Sequence, residues 1–304
     1  MPDLSTRLCG IELANPLVLA SGILGTTRAL LRRVALAGAG AVTIKSVSLE
    51  PRGGHPNPTV ITFEAGMMNA VGYSNPGLEG ALEEFSDLSD VPVPVIASII
   101  GRGPEEFARV AERIGKLPFA AIELPLSCPH TPGYGTLAGQ GTPEATRAIT
   151  RAVRSTTDKP IFVKVSPNIQ ALCEACRAAE EAGADAITAV NTLGPGMAIN
   201  IEARRPVLAF GVGGVSGPAL RPIALRCVYD IYRAVRIPII GTGGVSTGAH
   251  AIEMLMAGAT AVGIGTAVYL DGPEAFGRIA REMKEWMSQH NVARVGDLVG
   301  AVHR

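Results

Sequence analysis

The sequence predicts an α/β fold, a (β/α)8 TIM barrel with a loop or hairpin region inserted after the second strand. Eight short, β-branched apolar runs alternate with amphipathic segments along the chain. The related segments AGAGAV, AGADAI and AGATAV, at 37–42, 182–187 and 257–262, each link the end of a helical pattern to an apolar run. Polar or glycine-rich residues follow most runs, as at the C-terminal rim of such barrels.

Each element is predicted from its local pattern. In the three related segments, glycine can adopt the left-handed backbone conformation that commonly ends a helix. The alternative arrangement is an open, doubly wound sheet. The interval from 46 to 93 is longer than one crossover needs, so we expect an inserted hairpin or loop around 49–80. Strands are predicted at PLVLA (16–20), AVTIK (41–45), PVIAS (94–98), AAIEL (120–124), PIFVKV (160–165), AITAV (186–190), PIIGT (238–242) and AVGIGT (261–266). Helices are predicted near 27–38, 104–116, 143–156, 169–182, 218–236, 247–257 and 273–290.

Composition narrows the classes of function. The 304 residues are 47% hydrophobic and carry 27 basic and 27 acidic side chains, so the net charge is zero. This balance offers no electrostatic attraction for nucleic acid or for a membrane surface. No apolar run has the length of a membrane span, and the start, MPDLSTRLCG, lacks the pattern of a secretory leader. Five cysteines at irregular spacing indicate no disulfide framework, and we expect a reducing, cytoplasmic location.

The predicted strand ends gather polar side chains. Two of these are lysines, Lys45 and Lys164, and a lysine over an apolar barrel is expensive unless it meets an anion or a polarisable ligand. The barrel geometry brings all these ends to one rim. The others are Ser21 and Gly22 after strand 1, Ser46 after strand 2, Ser98 after strand 3, and Asn191 and Thr192 after strand 6.

Glycine-rich segments indicate which anion binds. GTGGV (241–245) and GIGT (263–266) follow strands 7 and 8, where many barrels bind phosphate through backbone N–H groups. GVGGVSG (211–217) is expected to form a third glycine-rich loop after strand 6. Ordinary tight turns are the alternative, but two such loops together with the rim lysines favour phosphate. A Cβ at these positions would hold phosphate oxygens away from the N–H donors.

Cys128, in ELPLSCPHTPGYG, has three interpretations. A buried core thiol is common. A metal ligand lacks partners, because CEAC (173–176) is expected mid-helix, and no metal site is predicted. A proton acceptor is chemically sound, because a thiol tuned by a nearby lysine can act as a base, and the following glycine-containing loop could close over a substrate. We favour catalysis by Cys128, and assign structural roles to Cys9, Cys173, Cys176 and Cys227.

A series of motifs resembles the class 1 dihydroorotate dehydrogenases, most closely the type B catalytic subunit, from about residue 4 to residue 300. The motifs are ASGILG, IKSVSLEPRGG, MMNAVGYSNPG, SCPH, FVKVSPN, VNTLG, GGVSGPALRPIAL and GTGGV. The resemblance implies that residues 1–304 form a single FMN-binding TIM-barrel domain. It further implies oxidation of (S)-dihydroorotate to orotate in de novo pyrimidine (UMP) biosynthesis. A homodimer is implied, together with a second subunit carrying FAD and an iron–sulfur cluster and passing electrons to NAD.

The resemblance also implies residue roles. Cys128 would remove a proton from C5 of the substrate while hydride leaves C6 for flavin N5. Lys164 would face the flavin N1–C2 edge, and Lys45, beside Ser46, would lie between flavin and substrate as a further catalytic residue. The implied substrate contacts are Lys45, Asn69, His130, Asn191 and Thr192. The implied cofactor contacts are Ser21, Gly22, Lys45, Ser46, Ser98, Lys164, Val190, Ser216, Gly217, Gly243, Gly244, Gly265 and Thr266.

Two departures from the family pattern keep other functions open. Pro125 and His130 stand where the family usually has asparagines, and SCPH is similar to the flavin domain of dihydropyrimidine dehydrogenases. A dihydrouracil or uracil oxidoreductase is therefore an alternative, as is a non-catalytic barrel that serves as an assembly partner. A tRNA-modifying dihydrouridine synthase is disfavoured by the zero net charge and by the lack of an added RNA-binding region. The sequence leaves the electron acceptor open.

Overall fold

Eight parallel strands close into a barrel in the computed structural model, which describes residues 2–126 and 140–304. The barrel order is β10-β15-β16-β3-β4-β7-β8-β9. In chain order the strands are β1 (Thr6–Leu8), β2 (Ile11–Leu13), β3 (Leu17–Leu19), β4 (Ala41–Thr43), β5 (Val60–Phe63), β6 (Gly66–Asn69), β7 (Val95–Ser98), β8 (Ala121–Pro125), β9 (Ile161–Val165), β10 (Ala186–Ala189), β11 (Leu193–Gly196), β12 (Ile199–Asn200), β13 (Arg205–Pro206), β14 (Gly213–Ser216), β15 (Ile239–Thr242) and β16 (Ala261–Ile264). Each of the eight predicted strands is confirmed as a barrel strand, and closure excludes the open sheet.

The helices follow the predicted alternation, with two additions. In chain order they are α1 (Arg28–Leu36), α2 (Gly77–Glu84), α3 (Pro104–Ile114), α4 (Pro143–Arg154), α5 (Leu172–Glu181), α6 (Arg221–Ala234), α7 (Gly248–Met256), α8 (Thr266–Asp271) and α9 (Ala275–Gln289). The two that the sequence did not predict are α2, inside the inserted region, and α8, which directly follows β16. Within the described residues, none of the helices is both long and apolar enough to span a bilayer.

The interior of the barrel near the N-terminal ends of its strands is an apolar layer to which every barrel strand contributes one side chain. Around the barrel from β3 to β16 these are Val18, Ala41, Ile96, Ala121, Phe162, Ala186, Ile240 and Ala261. Large and alanine side chains alternate around the ring, so alternate strands fill the middle without overlap. Leu8 and Leu13 of the β1–β2 hairpin pack against this layer.

Two residues further along six of the eight strands, the inward side chains are polar. Thr43, Ser98, Glu123, Lys164, Thr188 and Thr242 occupy these positions, and all are buried. The intervening residues of the strands, such as Ile122, Leu124 and Val163, pack outward against the helices in the main core. The barrel therefore has an apolar base and a polar layer facing its C-terminal mouth.

An antiparallel sheet adjoins the barrel strand ends. The predicted insertion around 49–80 contains the hairpin β5–β6, and these strands continue into a four-stranded sheet of order β11-β14-β6-β5. The segment 211–217, expected to be a loop, is in part strand β14, so this prediction was wrong. Its glycines permit close packing: a Cβ on Gly213 would lie 2.7 Å from the Asn69 carbonyl oxygen, and one on Gly214 would overlap Thr192.

The CEAC motif also differs from expectation. Helix α5 begins at Leu172, so Cys173 and Cys176 lie in and just after its first turn rather than mid-helix. The described residues contain no cluster of three or more histidine, cysteine or acidic side chains that could hold a metal ion.

Candidate active site

A cavity of about 680 Å³ opens at the C-terminal mouth of the barrel, bordered by the inserted sheet. It brings together residues that are far apart in sequence, and most of the predicted site residues line it. These are Ser21, Gly22, Lys45, Ser46, Asn69, Lys164, Val190, Asn191, Thr192, Ser216, Gly217, Gly243, Gly244, Gly265 and Thr266. The combination of a lysine-bearing floor, an amide-bearing wall and glycine turns is suited to a polar, flat ligand carrying an anionic group.

Three predicted residues stand apart from this lining. Ser98 is fully buried on β7, and its hydroxyl is hydrogen-bonded to the Ser46 hydroxyl at 2.9 Å, so it supports a lining residue from behind. Cys128 and His130 lie outside the described residues. Their roles stay predictions, although β8, which ends at Pro125, leads the chain to the cavity.

Lys164 belongs to a buried polar network that the sequence did not predict. Its ammonium Nζ donates to the Ser21 hydroxyl at 3.1 Å, and that hydroxyl donates to Oε1 of Glu123 at 2.8 Å. Nζ itself lies 3.8 Å from the same carboxylate oxygen, and Thr188 donates to the other oxygen at 3.1 Å. The anion that Lys164 meets within the protein is thus the Glu123 carboxylate, which supplies a counter-charge without a bound ligand. A signal was present, since Glu123 and Lys164 both fall on inward positions of their strands.

The glycine turns form one end of the cavity. Gly244 has a φ of +72°, and an added Cβ would lie 2.7 Å from both the Gly217 carbonyl oxygen and the Arg221 Cβ. Gly217, with φ +89°, contacts the inserted sheet at Gly66 in the same way. Backbone conformation and close packing therefore require these two glycines in any case, and their contact with a phosphate stays a prediction. Thr266 donates to the Ser216 hydroxyl, or accepts from it, at 2.9 Å across this end.

A salt-bridged arginine behind the turns was also missed. Arg278, on α9, donates from Nη1 to the Ser246 carbonyl oxygen at 2.9 Å and from Nη2 to the Asp271 carboxylate at 2.7 Å. Ser246 follows the turn after β15 and Asp271 ends α8, so one side chain joins the two segments that border the cavity. Glu282 pairs with Arg278 at 3.2 Å and accepts from the Gly248 amide, at the start of α7.

The wall near the inserted sheet carries side-chain amides. Asn69 ends β6, and Asn191 follows β10 with its side-chain oxygen accepting from the Thr192 amide at 2.7 Å. Pro125, on β8, is in register with Lys164 of β9 and also lines the cavity. It presents ring carbons where a polar side chain would supply a hydrogen bond.

The four described cysteines are free thiols, and none lines the cavity. Burial raises the pKa of Cys9 to about 12 and that of Cys227 to about 11, and it also raises the pKa values of Cys173 and Cys176. Cys9 further donates to the Asp185 carbonyl oxygen at 3.1 Å. A raised pKa disfavours the thiolate, so these side chains are poorly suited to act as a base near neutral pH.

Comparison with known proteins gives consistent results. The family model described as dihydroorotate dehydrogenase matches residues 3–287. The chain is 47% identical over 301 residues to the catalytic subunit of dihydroorotate dehydrogenase B (NAD(+)) from Methanothermobacter thermautotrophicus, covering 99% of this chain and 98% of that one. It is 44% identical over 303 residues to the same subunit from Geobacter sulfurreducens, covering 99% and 98%. The crystal structure of DHODH in complex with ferulenol from Eimeria tenella superposes with a TM-score of 0.85 at 22% identity, covering 100% and 89%, which supports the fold.

Proposed function

The chain belongs to the dihydroorotate dehydrogenase family, and we propose that it oxidises (S)-dihydroorotate to orotate as an FMN-dependent catalytic subunit. As a member of this family it is an oxidoreductase of pyrimidine biosynthesis. The observation that carries the proposal is one cavity that joins Lys164, the Asn191–Thr192 pair and the glycine turns of strands β15 and β16.

The cavity residues fit FMN. The turns containing Gly243, Gly244 and Gly265 expose backbone at one end, as a phosphate group requires. Lys164 and Ser21 lie on the floor, where a cation stabilises the extra negative charge of a reduced flavin ring. Bound FMN supplies the acceptor for the hydride that leaves C6 of the substrate.

The chain's own residues provide the remaining chemistry. Cys128 takes the proton from C5 of dihydroorotate, so that loss of hydride from C6 leaves a C5–C6 double bond. The ammonium of Lys45 attracts the substrate carboxylate, and Asn69, Asn191 and Thr192 orient the ring through its amide and carbonyl groups. His130 offers a further hydrogen bond to a ring carbonyl.

A second candidate is oxidation or reduction of an uncharged dihydropyrimidine such as dihydrouracil. Pro125 favours it, because this lining position gives no side-chain hydrogen bond to a larger polar substrate. Lys45 favours dihydroorotate, because its ammonium lines the cavity and attracts a carboxylate, a group that dihydrouracil lacks. Family membership supports an enzyme over a non-catalytic barrel. The rim lysines do not decide this point, because Glu123 supplies a counter-charge to Lys164 within the protein.

The relatives are named catalytic subunits, which implies a partner that handles electrons. We propose that this partner carries FAD and an iron–sulfur cluster and delivers electrons to NAD, and that the catalytic subunit is a homodimer. A cytoplasmic location stays a prediction from cysteine usage.

The test begins with purified protein. The flavin released by denaturation is identified by mass spectrometry, and the intact protein is then mixed anaerobically with dihydroorotate or with dihydrouracil. We expect FMN, with loss of the oxidised-flavin absorbance on mixing with dihydroorotate alone. Preferential bleaching by dihydrouracil would favour the second candidate, and a protein that binds no flavin on reconstitution would refute both.

A further inference from the structure

Glu123 is a buried carboxylate to which neither the family assignment nor the proposed reaction gives a role. It is 4% exposed and lies on an inward position of β8, among the polar layer of the barrel. Among the acidic side chains that the structure describes, it alone is buried. An isolated charge at such a position is strongly unfavourable, so its partners explain why it is there.

Those partners come from three other parts of the barrel wall. Ser21 follows β3, Lys164 is on β9 and Thr188 is on β10, where it is in register with Lys164. Oε1 accepts from the Ser21 hydroxyl and Oε2 from the Thr188 hydroxyl, so each carboxylate oxygen is held. The distance from Lys164 Nζ to Oε1, 3.8 Å, exceeds a direct hydrogen bond, and the Ser21 hydroxyl bridges the two groups.

The network has a cavity side and a buried side. Ser21 and Lys164 line the cavity, whereas Glu123 and Thr188 do not. Glu123 therefore reaches a ligand only through the serine and the lysine. Because Ser21 donates its one hydroxyl hydrogen to Glu123, the lone pairs of its oxygen are held in a fixed orientation toward the ammonium of Lys164.

We propose that Glu123 is a positioning residue that aims Lys164 and partly neutralises it, and that it thereby sets the reduction potential of the bound flavin. This inference rests on the proposed FMN site. Reduction of flavin by two electrons and one proton adds one negative charge to the ring. A nearby ammonium stabilises that charge, and a carboxylate behind the ammonium reduces the effect.

The test compares Glu123→Gln with wild type. Glutamine has the same shape and keeps an oxygen that accepts from a hydroxyl, but it removes the charge. The midpoint potential is measured by anaerobic titration with a chemical reductant and a reference dye, so no substrate is involved. We expect the ratio of reduced-flavin to oxidised-flavin affinity to rise about tenfold, which is about +30 mV for a two-electron couple. Thr188→Val, which keeps the carboxylate charge, should change this ratio much less.

A double-mutant cycle, measured at equal flavin content, tests whether the effect of the Glu123 charge passes through Lys164. The charge change is repeated in a Lys164→Gln background, where Glu123 has no ammonium to neutralise. We expect a smaller gain in potential there, because the carboxylate then acts on the flavin only directly and no longer through the ammonium. An unchanged or lower potential in Glu123→Gln, or the same gain without Lys164, would overturn the proposal while leaving the FMN assignment intact. A wild-type protein that binds no flavin would overturn both.

Discussion

Replacing Gly244 with alanine tests the cavity end assigned to phosphate. The residue lies in the turn after β15, with φ +72°, and its ideal Cβ would be 2.7 Å from the Gly217 carbonyl oxygen and from the Arg221 Cβ. Both neighbours belong to the segment that follows β14, so the added methyl group must move one side of the cavity.

The expected magnitude has two parts. A left-handed conformation costs an alanine about 1–2 kcal/mol relative to glycine. Forcing a methyl group into a closely packed site costs about 1–3 kcal/mol more. We therefore expect a loss of about 2–5 kcal/mol in the free energy of unfolding. If the turn shifts to relieve the overlap, FMN affinity should fall at least about tenfold, which corresponds to 1.4 kcal/mol.

The assay measures flavin binding by fluorescence quenching and unfolding by chemical denaturation. Two other glycines provide controls. Gly10 has φ +82° with nothing within 4 Å of an added Cβ, so Gly10→Ala isolates backbone strain. Gly296 also has open space and no positive φ, so Gly296→Ala should change stability by less than about 0.5 kcal/mol. Riboflavin, which lacks the phosphate, should be less affected than FMN. Equal FMN affinity in Gly244→Ala and Gly10→Ala would refute this account of the turn.

Three further predictions follow from the same site. Arg278→Met removes the link between Ser246 and Asp271, so FMN affinity should fall about fivefold to tenfold while riboflavin affinity changes little. Arg278→Lys should restore part of the loss. Equal losses for both ligands would indicate a general packing defect. At pH 8, an alkylating reagent should modify Cys128 faster than Cys9, Cys176 or Cys227, as measured by mass spectrometry, because the raised pKa values of these three thiols leave little thiolate. Rapid modification of the three in folded protein would contradict their assignment as structural residues. Pro125→Asn supplies the missing side-chain amide and should tighten orotate binding by about 1–3 kcal/mol, measured from the flavin absorbance change; weaker binding would show that proline suits the pocket better.

The barrel could be predicted because its signals are local and repeated. Each strand is a short apolar run followed by a helix-forming segment, and runs such as PIFVKV have few other structures available. The composition of the rim could also be predicted, because parallel barrel strands place their C-terminal ends on one side of the barrel regardless of loop conformation. Hence Lys45, Asn191 and Gly244, far apart in sequence, were expected to line one cavity and do so.

The features that escaped prediction depend on contacts between distant segments. Glycines 213 and 214 resemble a loop in sequence, but their strand pairs with β6, more than a hundred residues earlier. Arg278 lies on an amphipathic helix where its charge suggests only a solvent-facing position, whereas its contacts join two turns. Glu123 is a single polar residue in an apolar run. Its role depends on contacts with Ser21 and Lys164, which are distant in sequence and become neighbours only in the folded barrel.

The central proposal is that Cys128 removes the substrate proton while FMN accepts hydride. Anaerobic stopped-flow mixing with dihydroorotate tests it directly when wild type, Cys128→Ala and Cys176→Ala are compared at equal flavin content. We predict rapid bleaching in wild type and Cys176→Ala, and bleaching at least about 100-fold slower in Cys128→Ala, the usual contribution of a positioned base. Equal rates in wild type and Cys128→Ala would contradict the claim.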